Sequence, residues 1–296
     1  MTDKTDLMSS PIAAGGVGGS GTRVVQNILA RLGVSMGTDL NEAGDNLWYT
    51  FLFVRPSLRT AKPELFRHHV NLFTKASCGG VPLTEGEDKL LKLLVTMPVD
   101  HGPMAVPDWL QTKSDAIRRA ASLGPKNLTH WGWKEPNTHI MLDRLAVAFP
   151  GMRYIHIVRN GLDMAFSRNQ NQPRLWGNAI YGLPPGRVDP RHSLKHWCRA
   201  NHRALQISKN MEGRFFLLNF DELCREPGPV LDQLVEFLGM SADAQKMKDL
   251  EALVRPPETI GRFKSRGAKF FDAEDIEFVA QMGFDTNFDT VPGQRA

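Results

Sequence analysis

A glycine-rich run lies between a short apolar segment and an amphipathic helical pattern near the start of the chain. Residues 15–22 read Gly-Gly-Val-Gly-Gly-Ser-Gly-Thr, and they follow the apolar segment 11–14. Hydrophobic residues then recur with helical spacing from Val24 to Leu32, and Gly33 supplies a stop. A strand, a turn and a helix in this order present unpaired backbone N–H groups that a phosphate can approach closely. The run therefore predicts an α/β fold with an anion-binding turn.

Further segments alternate between strand and helix patterns. Residues 153–158 (RYIHIV) and 215–220 (FFLLNF) are apolar runs typical of buried parallel strands. The predicted helices cover residues 85–97, 106–123, 137–149, 161–168, 192–211, 230–238 and 272–282. This alternation favours a central parallel sheet. Residues 50–130 form a mostly helical insertion that we expect to shape a ligand pocket.

Size and composition narrow the class of protein. A chain of 296 residues with 42% hydrophobic and 23% charged residues fits a single domain spanning residues 1–296. No apolar run is long enough to span a bilayer, and three cysteines without metal-like spacing suit a reduced cytoplasmic protein. The net charge of +4 is too small to indicate nucleic acid and is compatible with an anionic small molecule.

The glycine run fits two phosphate-binding templates imperfectly. Gly16, Gly18 and Gly21 match the dinucleotide pattern GxGxxG, but no good strand leads to an acidic residue about 20 positions later. Gly16 and Gly21 also match the start of a Walker A loop, where Thr22-Arg23 replaces Lys-Ser/Thr. Neither template is decisive by itself.

A second motif follows the strand at 153–158. Arg159 stands at the strand's carboxyl end, and a buried arginine there is costly unless its charge meets a ligand or partner. Ser167 is eight residues later, which predicts a position about two turns into the next helix. Both side chains are then expected to face one anion at the edge where open α/β sheets bind ligands. A guanidinium fork and a hydroxyl suit a phosphate monoester.

These motifs together resemble the family of sulfotransferases that use 3′-phosphoadenosine-5′-phosphosulfate (PAPS), with partial similarity to its protein-tyrosine and glycan members. Residues 219–227 and 237–239 resemble the late part of that domain, and Ile260-Gly-Arg-Phe-Lys264 resembles its C-terminal Gly-Arg-Trp-Lys-like segment. The resemblance implies a P-loop-like, three-layer α/β fold around a central parallel sheet. It also implies cofactor-binding roles for Gly18, Gly19, Ser20, Gly21, Thr22 and Arg23 at the 5′-phosphosulfate, Arg159 and Ser167 at the 3′-phosphate, and Arg262 and Lys264 over the nucleotide.

The chain departs from this family at one position. Many members carry Lys or Arg just before the Ser/Gly-Gly-Thr sequence, where this chain has Gly19. Arg23 and Lys134 are the candidate substitutes, and Trp133-Lys134-Glu-Pro resembles the Asn-Lys-Asp-Pro of protein-tyrosine sulfotransferases, whose lysine is catalytic. The resemblance therefore implies a catalytic Lys134.

The same relatives place a catalytic glutamate about 20 residues after the first motif. Glu42 is the first candidate for this general base, Asp45 the second, and His139 a further alternative because it is close to Lys134 in sequence. Solvated loop acids would give the same pattern.

The expected function is in-line transfer of a sulfuryl group from PAPS to a hydroxyl or amine of a small-molecule or glycan acceptor, with no metal required. The loop at 173–190, including Trp176 and Tyr181, is expected to shape the acceptor pocket. Three alternatives stay open. The first is a P-loop nucleotide kinase, although this chain lacks the Walker lysine that such an enzyme needs. The second is a Rossmann reductase or epimerase, which would leave Arg159 and Ser167 unexplained. The third is a protein that binds PAPS or its product without transfer, which Gly19 favours.

Overall fold

A four-stranded parallel sheet organises the fold. The computed structural model describes residues 4–97, 106–124 and 126–289. The strands are β1 (Ile12–Gly15), β2 (Gly132–Lys134), β3 (Arg153–Val158) and β4 (Phe215–Asn219). Their order in the sheet is β2-β1-β3-β4, and Ala14 pairs with Lys134 across the β1–β2 ladder. The predicted α/β class with a central parallel sheet is confirmed.

Helices make up most of the remaining structure. In chain order they are α1 (Lys4–Ser9), α2 (Thr22–Arg31), α3 (Leu47–Phe53), α4 (Pro63–Cys78), α5 (Glu85–Thr96), α6 (Pro107–Ser122), α7 (Leu142–Ala148), α8 (Gly161–Ala165), α9 (Asn171–Tyr181), α10 (Pro190–Ser208), α11 (Phe220–Arg225), α12 (Pro227–Phe237), α13 (Ala244–Glu251) and α14 (Ala273–Gln281). Among the described helices, none is long and apolar enough to cross a membrane.

The chain divides into two compact units. The first comprises Met1–Gly15, Arg23–Ile155 and Gly213–Phe215, and the second comprises Gly16–Thr22, His156–Glu212 and Phe216–Ala296.

An aromatic cluster forms the core of the first unit. Trp133 of β2 stacks on Tyr49 of α3, with ring centroids 5.7 Å apart, and meets Phe73 of α4 edge to face at 5.1 Å. All seven residues of α3 are buried, and Asn46 caps its start by accepting a hydrogen bond from Tyr49 N. Large aromatic side chains stabilise such a core through buried area and ring geometry. This packing fixes β2, including Lys134, the last residue of the strand.

The second unit is built around α8 and α10. Trp197 of α10 lies so close to α8 that a Cβ on Gly161 would stand 2.7 Å from the indole ring. His156 of β3 hydrogen-bonds Asn201 Oδ1 of α10 at 2.8 Å, and burial lowers the pKa of His156 to about 4. The end of β3 is thereby fixed against α10, and Arg159 follows immediately.

Two predicted helices are shorter than their sequence patterns indicate. The helix expected at 137–149 is a 3-10 helix, Pro136–Ile140, followed by α7, because Thr138 and its neighbours hydrogen-bond locally to Glu135. The helix expected at 161–168 ends at Ala165, where Ser167 N donates to Met164 O in a tighter i→i−3 bond. The prediction that Ser167 lies two turns into a helix is therefore wrong.

Two other segments also differ from their predictions. The first half of the predicted loop 173–190 belongs to helix α9, in which Trp176 and Tyr181 are buried. The predicted buried strand at 215–220 is β4, which has half-exposed residues and a Leu217 that is 39% exposed. Because β4 is the last strand in the sheet order, its apolar run does not require burial on every side.

Candidate functional site

The glycine-rich turn connects β1 to α2 and belongs to the second unit. Ser20 N donates to Val17 O at 3.1 Å, and Gln172 Nε2 donates to Gly16 O at 3.2 Å, so the turn is held from within and from α9. Gly21 has φ +95°, and a Cβ there would stand 2.2 Å from the Phe220 ring. Only glycine satisfies both conditions, since a side chain is strained at positive φ and has no room.

Ser20 is a buried polar residue of this turn. Its side chain is fully buried, and Oγ has no hydrogen-bond partner within the described residues. Thr22, also buried, is the first residue of α2, whereas Gly19 and Arg23 are exposed. A buried hydroxyl without a partner is costly unless a ligand completes its bonding. The turn therefore fits an acceptor-rich ligand such as a phosphate.

Arg159 lies directly after β3 and is 6% exposed. Its Nη2 donates to Thr259 Oγ1 at 2.8 Å, while its buried Nε has no partner among the described residues. Asp221 lies near this guanidinium, but its carboxylate accepts a hydrogen bond from Asn160 N at 2.8 Å. Burial raises the pKa of Asp221, and the charge of Arg159 offsets part of that rise. Arg159 thus keeps a donor for an anion.

A second arginine, Arg262, lies close enough to Arg159 for the two charges to interact. Arg262 is half-buried, and its pKa is lowered first by burial and then by the charge of Arg159. Two guanidinium groups that repel each other in a partly buried place are stabilised by a shared anion. The structure thus brings together two of the residues predicted to bind the nucleotide.

The remaining predicted nucleotide ligands have other partners. Ser167 is half-buried, and its Oγ accepts a hydrogen bond from Asn169 N at 3.2 Å. Lys264 forms an ion pair with Asp285 at 2.7 Å, which raises the pKa of the lysine. Both side chains retain hydrogen-bonding capacity: a serine hydroxyl can still donate, and an ammonium group has three donors.

Lys134 ends β2 in the first unit and is buried, so it is not an ordinary surface lysine. Its ammonium group donates to Ala43 O at 2.6 Å and forms an ion pair with the Asp45 carboxylate. Asn46 N donates to Lys134 O at 2.8 Å, which ties the loop to the strand. The structure therefore joins two predicted catalytic residues.

The loop that carries the predicted bases is ordered by Asn41, a residue to which the sequence alone assigns no role. Asn41 Oδ1 accepts from Ala43 N and Asp45 N, each at 2.9 Å, and Asn41 Nδ2 donates to Asp45 Oδ2 at 2.9 Å. This Asx-type pattern is a common turn device. It aims Asp45 at Lys134 and leaves Glu42 exposed on the loop.

Glu135 is a buried carboxyl group next to Lys134. Its oxygens accept from Asn137 N at 2.6 Å and from Asn137 Nδ2 at 2.8 Å. Burial, and then the nearby Asp45 carboxylate, raise the pKa of Glu135 to about 8. His139, the further candidate base, is fully buried in the same segment. No group of three or more His, Cys, Asp or Glu side chains in the described part of the chain is arranged to hold a metal ion.

Three solved structures that resemble this chain are distant from it in sequence. Sulfotransferase STF9 from Mycobacterium avium is 14% identical, with 97% of this chain and 81% of that chain covered and a TM-score of 0.47. The sulfotransferase domain of the Synechococcus PCC 7002 olefin synthase is 16% identical, with 93% and 94% covered and a TM-score of 0.47. Mouse sulfotransferase SULT7A1, solved with adenosine 3′,5′-bisphosphate (PAP), is 13% identical, with 90% and 74% covered and a TM-score of 0.37.

The comparison with protein families gives a match that covers most of the chain, whereas no protein of curated function matches the sequence. The model described as "Sulfotransferase family" matches residues 11–244, which include the glycine-rich turn, Lys134, Arg159 and Ser167. This chain belongs to the sulfotransferase family.

Proposed function

We propose that the chain binds PAPS through its second unit and transfers the sulfuryl group to a hydroxyl or amine acceptor. The proposal is carried by the buried Arg159 guanidinium, whose Nε has no partner among the described residues and whose electrostatic surroundings include a second arginine, Arg262. This arrangement suits a dianionic phosphate monoester, the group that distinguishes PAPS from ADP and NAD. Ser167 and Lys264 are proposed as further ligands of the nucleotide.

The glycine-rich turn is proposed to hold the 5′-phosphosulfate. Residues Gly18 to Thr22 would contribute backbone N–H groups at the start of α2. Ser20 Oγ, which has no partner in the described part of the chain, would donate to a phosphate oxygen. A cavity of about 550 Å³ also lies in the second unit. Asn160, Asp221 and Phe263 border it, whereas the glycine-rich turn and Arg159 are not among its lining residues, so it adds no support for the phosphosulfate site.

The chemical step requires charge stabilisation and a proton acceptor. The acceptor oxygen or nitrogen forms a bond to sulfur while the bond from sulfur to the bridging phosphate oxygen breaks, and PAP leaves with that electron pair. Lys134, assisted by Arg23, is proposed to stabilise the charge that gathers on the leaving oxygen. The proton of the acceptor goes to a carboxylate, for which the exposed Glu42 is favoured because Asp45 is already paired with Lys134.

The proposed acceptor is a small molecule or a glycan, in a cytoplasmic setting. The three cysteines, all within the described part of the chain, form no disulfide, which suits a reducing compartment. No metal ion has a role in the proposed chemistry, since cationic side chains supply the positive charge.

Calorimetric titration tests this proposal. Wild-type protein is titrated with PAP, ADP and NAD, and Arg159→Ala is compared with Arg31→Ala, which removes an exposed arginine of α2. We expect micromolar binding of PAP alone, weakened by about 100-fold in Arg159→Ala and unchanged in Arg31→Ala. Equal preference for ADP, or no binding of PAP, would refute the proposal and favour a kinase.

A protein that binds PAP without transfer is the second candidate function. Gly19 lacks the cation that many family members carry, and the charge of Lys134 is shared with Asp45. Incubation with sulfur-labelled PAPS and panels of phenols, sugars, alcohols and amines separates the two. Labelled product supports transfer, whereas tight PAP binding without any labelled product across the panel supports the binding protein.

A further inference from the structure

Asp163 makes three contacts with three consecutive residues of the C-terminal segment 259–264. Its Oδ2 accepts from Gly261 N at 2.8 Å, and its Oδ1 accepts from Phe263 N at 3.1 Å. Its backbone oxygen accepts from Arg262 Nε at 2.6 Å. Asp163 is 1% exposed and stands four residues after Arg159. A carboxylate that accepts two backbone hydrogen bonds in a buried place is a strong local constraint.

We infer that Asp163 is a positioning residue that latches segment 259–264 and thereby keeps Arg262 beside Arg159. The inference rests on the proposed function, because it assigns the latched pair of arginines to the 3′-phosphate of the nucleotide. Asp163 binds no phosphate itself, since both of its carboxylate oxygens point at backbone N–H groups.

The latch offsets an electrostatic cost. Arg262 and Arg159 repel each other, and Arg262 is also partly desolvated. A segment attached only by its own backbone would relax by moving Arg262 away into solvent. Asp163 opposes this movement at Gly261 and Phe263, and Thr259 opposes it at the other end by accepting from Arg159 Nη2.

The latched segment is also a wall of the cavity in the second unit. Gly261, Phe263 and Lys264 border this space together with Asp163 itself. Gly261 has φ +77°, a conformation that lets the N–H groups of residues 261 and 263 converge on one carboxylate. Release of the latch would therefore both open the cavity and separate the two arginines.

Hydrogen exchange tests the latch without any nucleotide. In Asp163→Asn one oxygen acceptor is replaced by an NH₂ group, so we expect the amides of residues 260–264 to exchange at least about tenfold faster than in wild type. Asp243→Asn is the matched control, because Asp243 also accepts a backbone N–H, at the start of α13. Unchanged exchange at residues 260–264 in Asp163→Asn would overturn the latch.

Ligand selectivity tests the positioning role. We expect Asp163→Asn to lose about tenfold in affinity for PAP and less than about twofold for adenosine 5′-monophosphate, which lacks the 3′-phosphate. Arg262→Met should lose affinity for PAP with the same selectivity over adenosine 5′-monophosphate, while the hydrogen bonds of the Asp163 carboxylate stay intact. The double variant should bind PAP no more weakly than the single variant that has the lower affinity. Equal losses for both ligands, or additive losses, would show a merely structural role. If wild type does not bind PAP, the proposed function fails, while the exchange result still decides whether the latch exists.

Discussion

The buried ammonium group of Lys134 forms an ion pair with the Asp45 carboxylate, whose side chain is only 20% exposed. The lysine is 1% exposed and also donates to Ala43 O, so its position is set by a loop that precedes it by about 90 residues. A cation held in this way is preorganised, which is how protein charges stabilise a transition state most effectively. The pairing also compensates the charge of Lys134 in the buried place that it occupies.

Lys134→Met is expected to slow transfer strongly while sparing nucleotide binding. Removal of the ammonium group should lower the transfer rate by about 100- to 1000-fold, the usual effect of losing one group that stabilises developing charge. PAP affinity, measured by calorimetry, should change by less than about threefold.

Lys113→Met is the matched control for this variant. Lys113 forms an ion pair with Asp39 at 2.7 Å in the same unit, with side chains that are 9% and 21% exposed. Both variants should lower the free energy of unfolding by about 2 kcal/mol, because each leaves a half-buried carboxylate without its partner. Equal loss of activity in the two variants would remove Lys134 from the mechanism.

Ser20→Ala is expected to separate ligand binding from stability. Ser20 Oγ is buried and has no hydrogen-bond partner among the described residues, so its removal should leave the free energy of unfolding unchanged or raise it by up to about 1 kcal/mol. PAP affinity should fall by about tenfold, since a hydrogen bond to a charged phosphate oxygen is lost. Ser77 of α4 also has a buried Oγ without a partner in the part of the chain that the structure describes, and Ser77→Ala should reproduce the stability effect without the binding effect. A loss of affinity in both variants, or in neither, would contradict the assignment.

The glycine-rich turn and the strand that precedes Arg159 were the most predictable parts of this protein. A glycine run between an apolar segment and a helical pattern has few structural outcomes, and β1 and α2 lie where periodicity places them. The strand β3 has the predicted bounds, so the position of Arg159 at its end followed from the sequence. Local patterns are reliable in these segments because each has a clear hydrophobic pattern and lies close to glycine, asparagine or proline.

The residues that orient the site were harder to predict, because their contacts are distant in sequence. Asp163 bonds to residues about 100 positions later, and no periodicity marks such a pair. Strand β2 has only three residues and ends in a charged lysine, so it carries no strand signal of its own. The resemblance pointed to Lys134 as a catalytic lysine and to Asp45 as a candidate base, but not to the ion pair between them. Asn41, which orders the loop of Asp45, is identified by its hydrogen bonds alone.

Gly21→Ala is expected to disrupt the turn by steric overlap rather than by backbone strain alone. Gly21 and Gly33 have nearly equal φ values of +95° and +93°, but a Cβ at Gly33 meets nothing within 4 Å. Gly33→Ala should therefore lower the free energy of unfolding by about 1 kcal/mol, and Gly21→Ala by about 3 kcal/mol or more, as measured in urea. When Phe220 is already replaced by alanine, the additional loss of unfolding free energy caused by Gly21→Ala should be smaller than in the wild-type background. Equal losses in the two single variants would mean that Phe220 does not confine the turn.

The buried Glu135 carboxyl predicts a specific pH dependence of stability. Burial and the Asp45 carboxylate raise the pKa of Glu135 from 4.5 to about 8. Between these values the folded protein holds a proton that the unfolded chain has lost, so this group makes stability fall as pH rises, by about 1.4 kcal/mol per pH unit.

Glu135→Gln removes that titration and keeps the side-chain shape. The free energy of unfolding of this variant relative to wild type should therefore rise steadily from pH 5 to pH 8 and then level off, in urea titrations at fixed ionic strength. Glu64→Gln, which changes an exposed glutamate of α4, should show no such trend. Two outcomes would contradict this prediction: a difference in unfolding free energy that stays constant across this range, or a wild type that gains stability relative to Glu135→Gln as pH rises. Either would mean that Glu135 is ionised in the folded protein and that two carboxylates share the charge of Lys134.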